Sequence, residues 1–183
     1  DKGKGGTYVF LPPGTKDEPA VPDGAFVFTP STNTLLVFFR VFVEKGDVAG
    51  AVKNVTDGTR IHALADAANP PATEFVDLSG KQFNTISAND ISFFDELNQV
   101  VQTEPEGFVD PATTGLFASL GIVKGKEFAP DARMKKILTD AVAIGNATAR
   151  TFVFDPRMDG AYYYPDRKWF TPFIGGSYQF LDG

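Results

Sequence analysis

The chain has 183 residues, of which 43% are hydrophobic and 22% are charged, and this balance excludes a globally disordered protein. Its net charge is -6 and its Lys and Arg residues form no large cluster, which argues against binding to nucleic acid. No apolar run reaches the roughly 18 residues that a membrane-spanning helix needs, and the absence of cysteine excludes disulfides, thiolate catalysis and sulfur-ligated metals.

The first part of the chain is predicted to be rich in β-strands. Short strands are expected at Tyr8–Leu11 and Ala25–Thr29, each of which is followed by proline. The strongest signal is Thr34–Glu44, a nearly continuous run of Val, Leu and Phe that is typical of a strand covered on both faces. Two further strands are predicted at Arg60–Ala65 and Glu74–Leu78.

Four helices are predicted, and each follows an Asp or Asn that can cap its first turn. The capping residues are Asp47, Asn89 or Asp90, Asp110 and Asp131. The helices are expected to cover Val48–Val55, Ile91–Thr103, Pro111–Leu120 and a long stretch from Asp131 to Phe152. Apolar residues at spacings of three and four in the long helix predict that one of its faces lies on a core.

Strands followed by helices predict an α+β fold. Its N-terminal part, residues 1–85, is expected to be β-sandwich-like. A helical segment follows at residues 86–154, and residues 155–183 form an irregular, aromatic-rich stretch. No internal repeat interrupts this order.

The most suggestive stretch for chemistry is Ala161–Phe170, which combines tyrosines, a tryptophan, cations and a carboxylate. Sugar rings stack on Tyr and Trp, and acidic sugars also need Arg or Lys. A metal-free β-eliminating enzyme that acts on uronic acids needs a Tyr or His as acid or base, and cations that neutralise the carboxylate. The alternative is that these aromatic side chains attach a long loop to the body of the protein.

Residue roles follow from that chemistry. Tyr163 or Tyr164 is predicted to be the catalytic acid or base. Arg167 and Lys168 are predicted to hold the substrate carboxylate, and Trp169 offers a surface on which a sugar can stack.

Two polar residues of the N-terminal part complete the predicted site. His62 is the only histidine, so it cannot supply the several imidazoles of a typical zinc site. It is predicted to assist as a general acid or base, and the alternative is a structural histidine. Asn69 precedes proline, which biases it to extended conformations, so its amide is a candidate substrate ligand and the alternative is a rigid turn. The sequence predicts neither a metal site nor a cofactor.

Four stretches of the chain carry a family resemblance that runs through nearly the whole sequence. They are Lys4–Tyr8 followed by Leu11–Gly14, Gln82–Ile86 with Asn89-Asp90 and Phe93-Phe94, Gly121–Gly125 with Phe128–Asp131, and Tyr162–Asp166. In this order they resemble the bacterial proteins that pair the domains of unknown function 1254 and 1214.

The resemblance implies that the chain is the central section of a much longer protein. Residues 1–85 would be the back part of the 1254-like domain, residues 86–154 the helical connection, and residues 155–183 the entry to the 1214-like domain. The family fold has jelly-roll-like sheets, and many members carry export signals, so a periplasmic or secreted location is expected. No catalytic residue transfers from the family.

Two functions are expected from these observations. The first is an exported bacterial protein that binds or processes an acidic polysaccharide, by metal-free β-elimination if it is an enzyme. The second is a non-catalytic structural or assembly module. Its exposed aromatic side chains would be covered by the remaining parts of the same longer protein or by another subunit of a homo-oligomer.

Overall fold

The computed structural model describes residues 5–17 and 19–171, so Lys4 and residues 172–183 of the predicted C-terminal stretch lie outside the described residues. Helices and a small two-stranded sheet give an α+β fold. The chain divides into two compact units, one made of residues 1–84 and 101–116 and the other of residues 85–100 and 117–183.

The sheet of the first unit confirms the first two predicted strands. Strand β1 covers Tyr8–Phe10 and strand β2 covers Phe26–Phe28, and the two run parallel. Their residues are paired Tyr8 with Phe26, Val9 with Val27 and Phe10 with Phe28. Aromatic rings on one face stack with centroids 5.2 Å and 5.7 Å apart. Val9 alternates to the other face, where it is buried.

The other three predicted strands are wrong for the described chain. Residues 34–43, 60–63 and 74–78 lie in no strand, and Leu64–Asp66 forms a single 3₁₀ turn. The expectation that the run 34–44 is covered on both faces is also wrong, because residues 34–43 are all exposed. An apolar run can favour a strand only where a second strand pairs with its backbone groups, and none does so here among the described residues.

All four predicted helices are confirmed. Helix α1 covers Val48–Gly58, α2 covers Ser92–Thr103, α3 covers Pro111–Ser119 and α4 covers Ala132–Phe154. The Asp47 side chain accepts a hydrogen bond from the Gly50 N–H at 2.8 Å, and the Asp131 side chain accepts one from the Met134 N–H at 2.7 Å. Among the helices of the described residues, none combines the length and the apolar character that crossing a membrane requires.

Helix α3 begins at a charged cap. The Asp110 carboxylate accepts hydrogen bonds from the Thr113 hydroxyl at 2.6 Å and from the backbone N–H groups of Ala112 and Thr113 at 2.9 and 3.0 Å. These bonds, the Thr113 hydroxyl bond foremost, hold the pKa of the Asp110 carboxyl below its usual range. The cap is therefore ionised at neutral pH, where it complements the positive end of the helix dipole.

Helix α3 ends in a Schellman motif. The Ile122 N–H donates to the Phe117 carbonyl and the Gly121 N–H donates to the Ala118 carbonyl, both at 3.0 Å. Gly121 adopts a φ of 89°, which only glycine reaches without strain. The motif turns the chain so that Ile122 is buried, with 1% of its surface exposed.

A buried carboxylate connects distant parts of the first unit. Glu104, at the end of α2, is 4% exposed and accepts hydrogen bonds from the Asn33 N–H at 2.5 Å and the Thr34 N–H at 3.2 Å. The Asn33 side chain donates in turn to the Thr103 carbonyl at 2.9 Å. These bonds satisfy the buried charge and fix the start of the exposed run at residues 34–43.

Replacement of Gly121, just after α3, and of Gly115, inside α3, by alanine should have opposite effects on the free energy of unfolding. Gly121→Ala forces a side chain into the left-handed region and should lower the free energy of unfolding by roughly 1–3 kcal/mol. Gly115→Ala should raise it by about 0.5–1 kcal/mol, because Gly115 lies inside α3 with nothing within 4 Å of an added Cβ. Urea unfolding followed by circular dichroism measures both. A shift of the same sign for the two variants would contradict the assignment of the helix end.

Candidate functional site

A short hairpin organises the aromatic stretch of the second unit. Tyr162 and Phe170 form an antiparallel bridge, and their rings meet edge to face with centroids 6.4 Å apart. The Tyr163 N–H donates to the Trp169 carbonyl at 3.0 Å, and the Thr171 N–H donates to the Ala161 carbonyl at 2.9 Å. We call residues 161–171 the aromatic hairpin. The stretch predicted to be irregular therefore contains local β-pairing.

Turn chemistry explains why the hairpin forms at this place. The sequence Tyr164-Pro165-Asp166-Arg167 offers proline at the second position of a four-residue turn, where its fixed φ is favourable. The two central residues, Pro165 and Asp166, lie in a turn. The runs on either side are thereby brought back toward each other and pair.

Lys168 belongs to an exposed polar cluster. Its ammonium nitrogen lies 3.4 Å from a carboxylate oxygen of Asp155 and 3.5 Å from the hydroxyl of Tyr162. It also lies 5.0 Å from the centroid of the Tyr162 ring. The hydrogen bonds to Tyr162 and then to Asp155 raise the pKa of Lys168 above its usual value. Lys168 is therefore a cation throughout the neutral range.

Arg167 lies against a predicted catalytic tyrosine. The carbon at the centre of its guanidinium is 5.2 Å from the centroid of the Tyr164 ring. Its Nε is 3.8 Å from a carboxylate oxygen of Asp166, and both side chains are exposed. An exposed pair of this kind contributes little to stability. The guanidinium can therefore exchange Asp166 for a ligand carboxylate at little cost.

Tyr163 and Trp169 are strongly exposed aromatic side chains of the hairpin. The exposed fraction is 64% for Tyr163 and 73% for Trp169. A shallow depression of about 390 Å³ is lined by Arg167, Lys168, Trp169 and Phe170. The structure thus brings three of the predicted ligand-binding residues to one depression.

His62 and Asn69 belong to the first unit, whereas the hairpin belongs to the second. His62 is exposed, and its Nδ1 lies 2.9 Å from the Ala63 carbonyl oxygen. Asn69 is also exposed, and its backbone N–H donates to the Asp66 carbonyl at 3.0 Å. Their cooperation with the tyrosines stays a prediction.

A second, larger cavity lies in the first unit. It measures about 550 Å³ and is lined by residues 107–111 and Thr114. Its carboxylate, Asp110, already caps α3 and would repel an anion. None of the predicted site residues lines this cavity. Among residues 5–17 and 19–171, no group of three or more His, Asp or Glu side chains could hold a metal ion.

Sequence reasoning missed two members of the polar cluster, Asp155 and Tyr162. Asp155 directly follows α4, and its contact with Lys168 spans thirteen residues. The signal for Tyr162 was present, because Tyr162 and Lys168 lie on either side of the Pro165-Asp166 turn. A hairpin prediction at that turn would have placed them near each other.

A comparison with known families identifies one match. Residues 1–63 match the model of a family described as "Protein of unknown function (DUF1254)". This part covers about a third of the chain and includes His62 but neither Asn69 nor the aromatic hairpin. It supports the first half of the family resemblance, whereas the pairing with a 1214-like domain stays a prediction. No curated protein matches the chain.

Proposed function

We propose that the aromatic hairpin binds an acidic carbohydrate, with the uronate carboxylate on Arg167 and Lys168 and a sugar ring on Trp169. The observation that carries this proposal is the lining of the depression by two cations and an indole that is 73% exposed. Carboxylates are recognised best by charge-assisted hydrogen bonds, which Arg can make in pairs. The location of such a ligand agrees with the proposed export to the periplasm or the exterior.

The hairpin carries the positive charge of Lys168 that a carboxylate ligand needs. Lys168 stays protonated at neutral pH, since contacts to Tyr162 and Asp155 raise its pKa. Its ammonium group makes contacts at 3.4 and 3.5 Å, which are long for hydrogen bonds. A ligand carboxylate that approaches more closely would form the stronger bond and draw Lys168 away from Asp155.

A β-elimination would use the same residues. With its phenol deprotonated, Tyr164, beside Arg167, removes the proton from the carbon next to the uronate carboxylate, while the cations neutralise the charge that develops. The bond from the neighbouring carbon to the glycosidic oxygen breaks, a carbon–carbon double bond forms, and the proton passes from Tyr164 to the leaving oxygen. Tyr163 is the proposed alternative to Tyr164 as acid or base.

A second candidate is the assembly module. It is favoured by the exposure of Tyr163 and Trp169, because exposed aromatic side chains are also enriched where proteins contact each other. Under this proposal the remaining parts of a longer protein cover the hairpin. Residues 34–44, 60–65 and 74–78 of the first unit would then be strands of a β-sandwich. A 1214-like domain would follow.

Intrinsic fluorescence separates the two candidates, because Trp169 is the only tryptophan in the chain. Titration with oligouronates should change the Trp169 emission with saturation, whereas the corresponding neutral oligosaccharides should leave it unchanged. Arg167→Ala should raise the dissociation constant about tenfold, the loss of one charge-assisted bond. Arg157→Ala is the matched control, since Arg157 is exposed and lies outside the hairpin. An unchanged emission at millimolar oligouronate would contradict the proposed ligand.

Elimination itself is measured by the ultraviolet absorbance of the unsaturated uronate product. The full chain should produce it at a rate that Tyr164→Phe abolishes while oligouronate binding is retained. The phenyl ring keeps the contact with Arg167, so only the proton acceptor is lost. If the oligouronate binds but no unsaturated product forms, the proposed binding site stands and the proposed lyase activity is contradicted.

A further inference from the structure

The run Leu35–Val43 is an apolar run in which every residue is exposed, and we call it the open segment. It contains eight apolar residues and one charge, Arg40. Its start is fixed by the bonds of Asn33 and Thr34 to the buried Glu104. The open segment is therefore attached at a defined point of the first unit.

Exposure along the open segment alternates with a period of two. Leu36, Phe38 and Phe42 are 91%, 74% and 94% exposed, whereas the odd-numbered residues from 35 to 43 lie between 42% and 56%. A period of two is the signature of extended backbone with two distinct faces. The even-numbered face is thus almost wholly open, and it carries Arg40.

The backbone of the open segment is unpaired as well. Among the described residues, no hydrogen bond to another backbone group involves residues 35–42. An extended, apolar and unpaired segment is a ready template for a further strand.

The apolar area matches what a stable dimer needs. At roughly 150–250 Å² for a fully exposed large side chain, the eight apolar residues expose on the order of 900 Å². A soluble monomer rarely shows a patch above about 600 Å², and a standard interface buries about 800 Å² on each partner. One copy of the open segment therefore exposes an apolar area of the size that a specific interface buries.

Charge excludes one of the registers in which a second copy could pair. We propose that two copies of this chain pair through their open segments, antiparallel and centred on Phe39. In this register Arg40 of each copy lies opposite Phe38 of the other, and Leu36 lies opposite Phe42. A register centred on Arg40 is disfavoured because it would place like charges directly opposite each other.

A contact between Arg40 and Phe38 within one chain supports this pairing. The guanidinium carbon of Arg40 already lies 5.6 Å from the centroid of the Phe38 ring. In the pair the same cation and ring types meet across the strands, twice by symmetry. Such an interface is self-complementary, as a two-fold dimer requires. It involves none of the hairpin residues and is independent of the carbohydrate proposal.

The absence of native cysteine makes the register measurable by disulfide formation. Two Phe39→Cys chains should cross-link, because directly opposite residues are about 4.5–5.5 Å apart, which a disulfide can span. Leu36→Cys alone should cross-link about tenfold more slowly or not at all, since two copies of residue 36 would be roughly 20 Å apart. Leu36→Cys mixed with Phe42→Cys should give the mixed dimer.

Sedimentation of the native chain, which contains no cysteine, provides the second measurement. It should reveal a dimer that Phe42→Glu converts to a monomer, and Phe42 is too exposed for this change to disturb folding. Ile61→Glu is the matched control, because Ile61 is an apolar residue of the same unit that is 66% exposed. It should leave the dimer intact.

A dimer that cross-links selectively through residue 39 supports the proposal. A monomer at every concentration overturns it, as does a dimer in which residue 39 does not cross-link. Equal cross-linking rates for Leu36→Cys and Phe39→Cys also overturn it, because they indicate non-specific association.

Discussion

Extended backbone must find its hydrogen-bonding partners outside its own segment, and the structure depends on this constraint throughout. Helices satisfy most of their own N–H and C=O groups, so α1 to α4 form from local signals, each behind an aspartate that accepts hydrogen bonds from its first turn. Strands form only where two segments meet, as β1 and β2 do. The open segment has the composition of a strand but no neighbour among the described residues, and its large side chains remain exposed.

The same constraint explains what the sequence could predict. Asp110 and Gly121 define the ends of α3 through contacts within a few residues, so local patterns suffice. The bonds of Glu104 to Asn33 and Thr34 span about seventy residues, and no local pattern indicates them. The strand at residues 34–44 was predicted from apolar character alone. Apolar character cannot reveal whether a partner strand exists.

The candidate site was predictable to the extent that it is local. Arg167, Lys168 and Trp169 are predicted from residue type, and because they follow one another in the chain they line one depression. Asp155 was missed because it comes from the end of α4, outside that stretch. Aromatic rings contact both cations, Tyr162 for Lys168 and Tyr164 for Arg167, and exposed contacts of this kind cost little to rearrange.

Hydrogen exchange of the backbone amides of residues 35–43 tests most directly whether a second copy supplies the missing partner. Strand pairing between copies should slow exchange at high protein concentration, and dilution should restore the rate of an unpaired chain, while the amides of α4 stay equally protected at both concentrations. Fast exchange at every concentration would contradict pairing between copies. Slow exchange that dilution does not change would equally contradict it, since the partner would then lie within one chain.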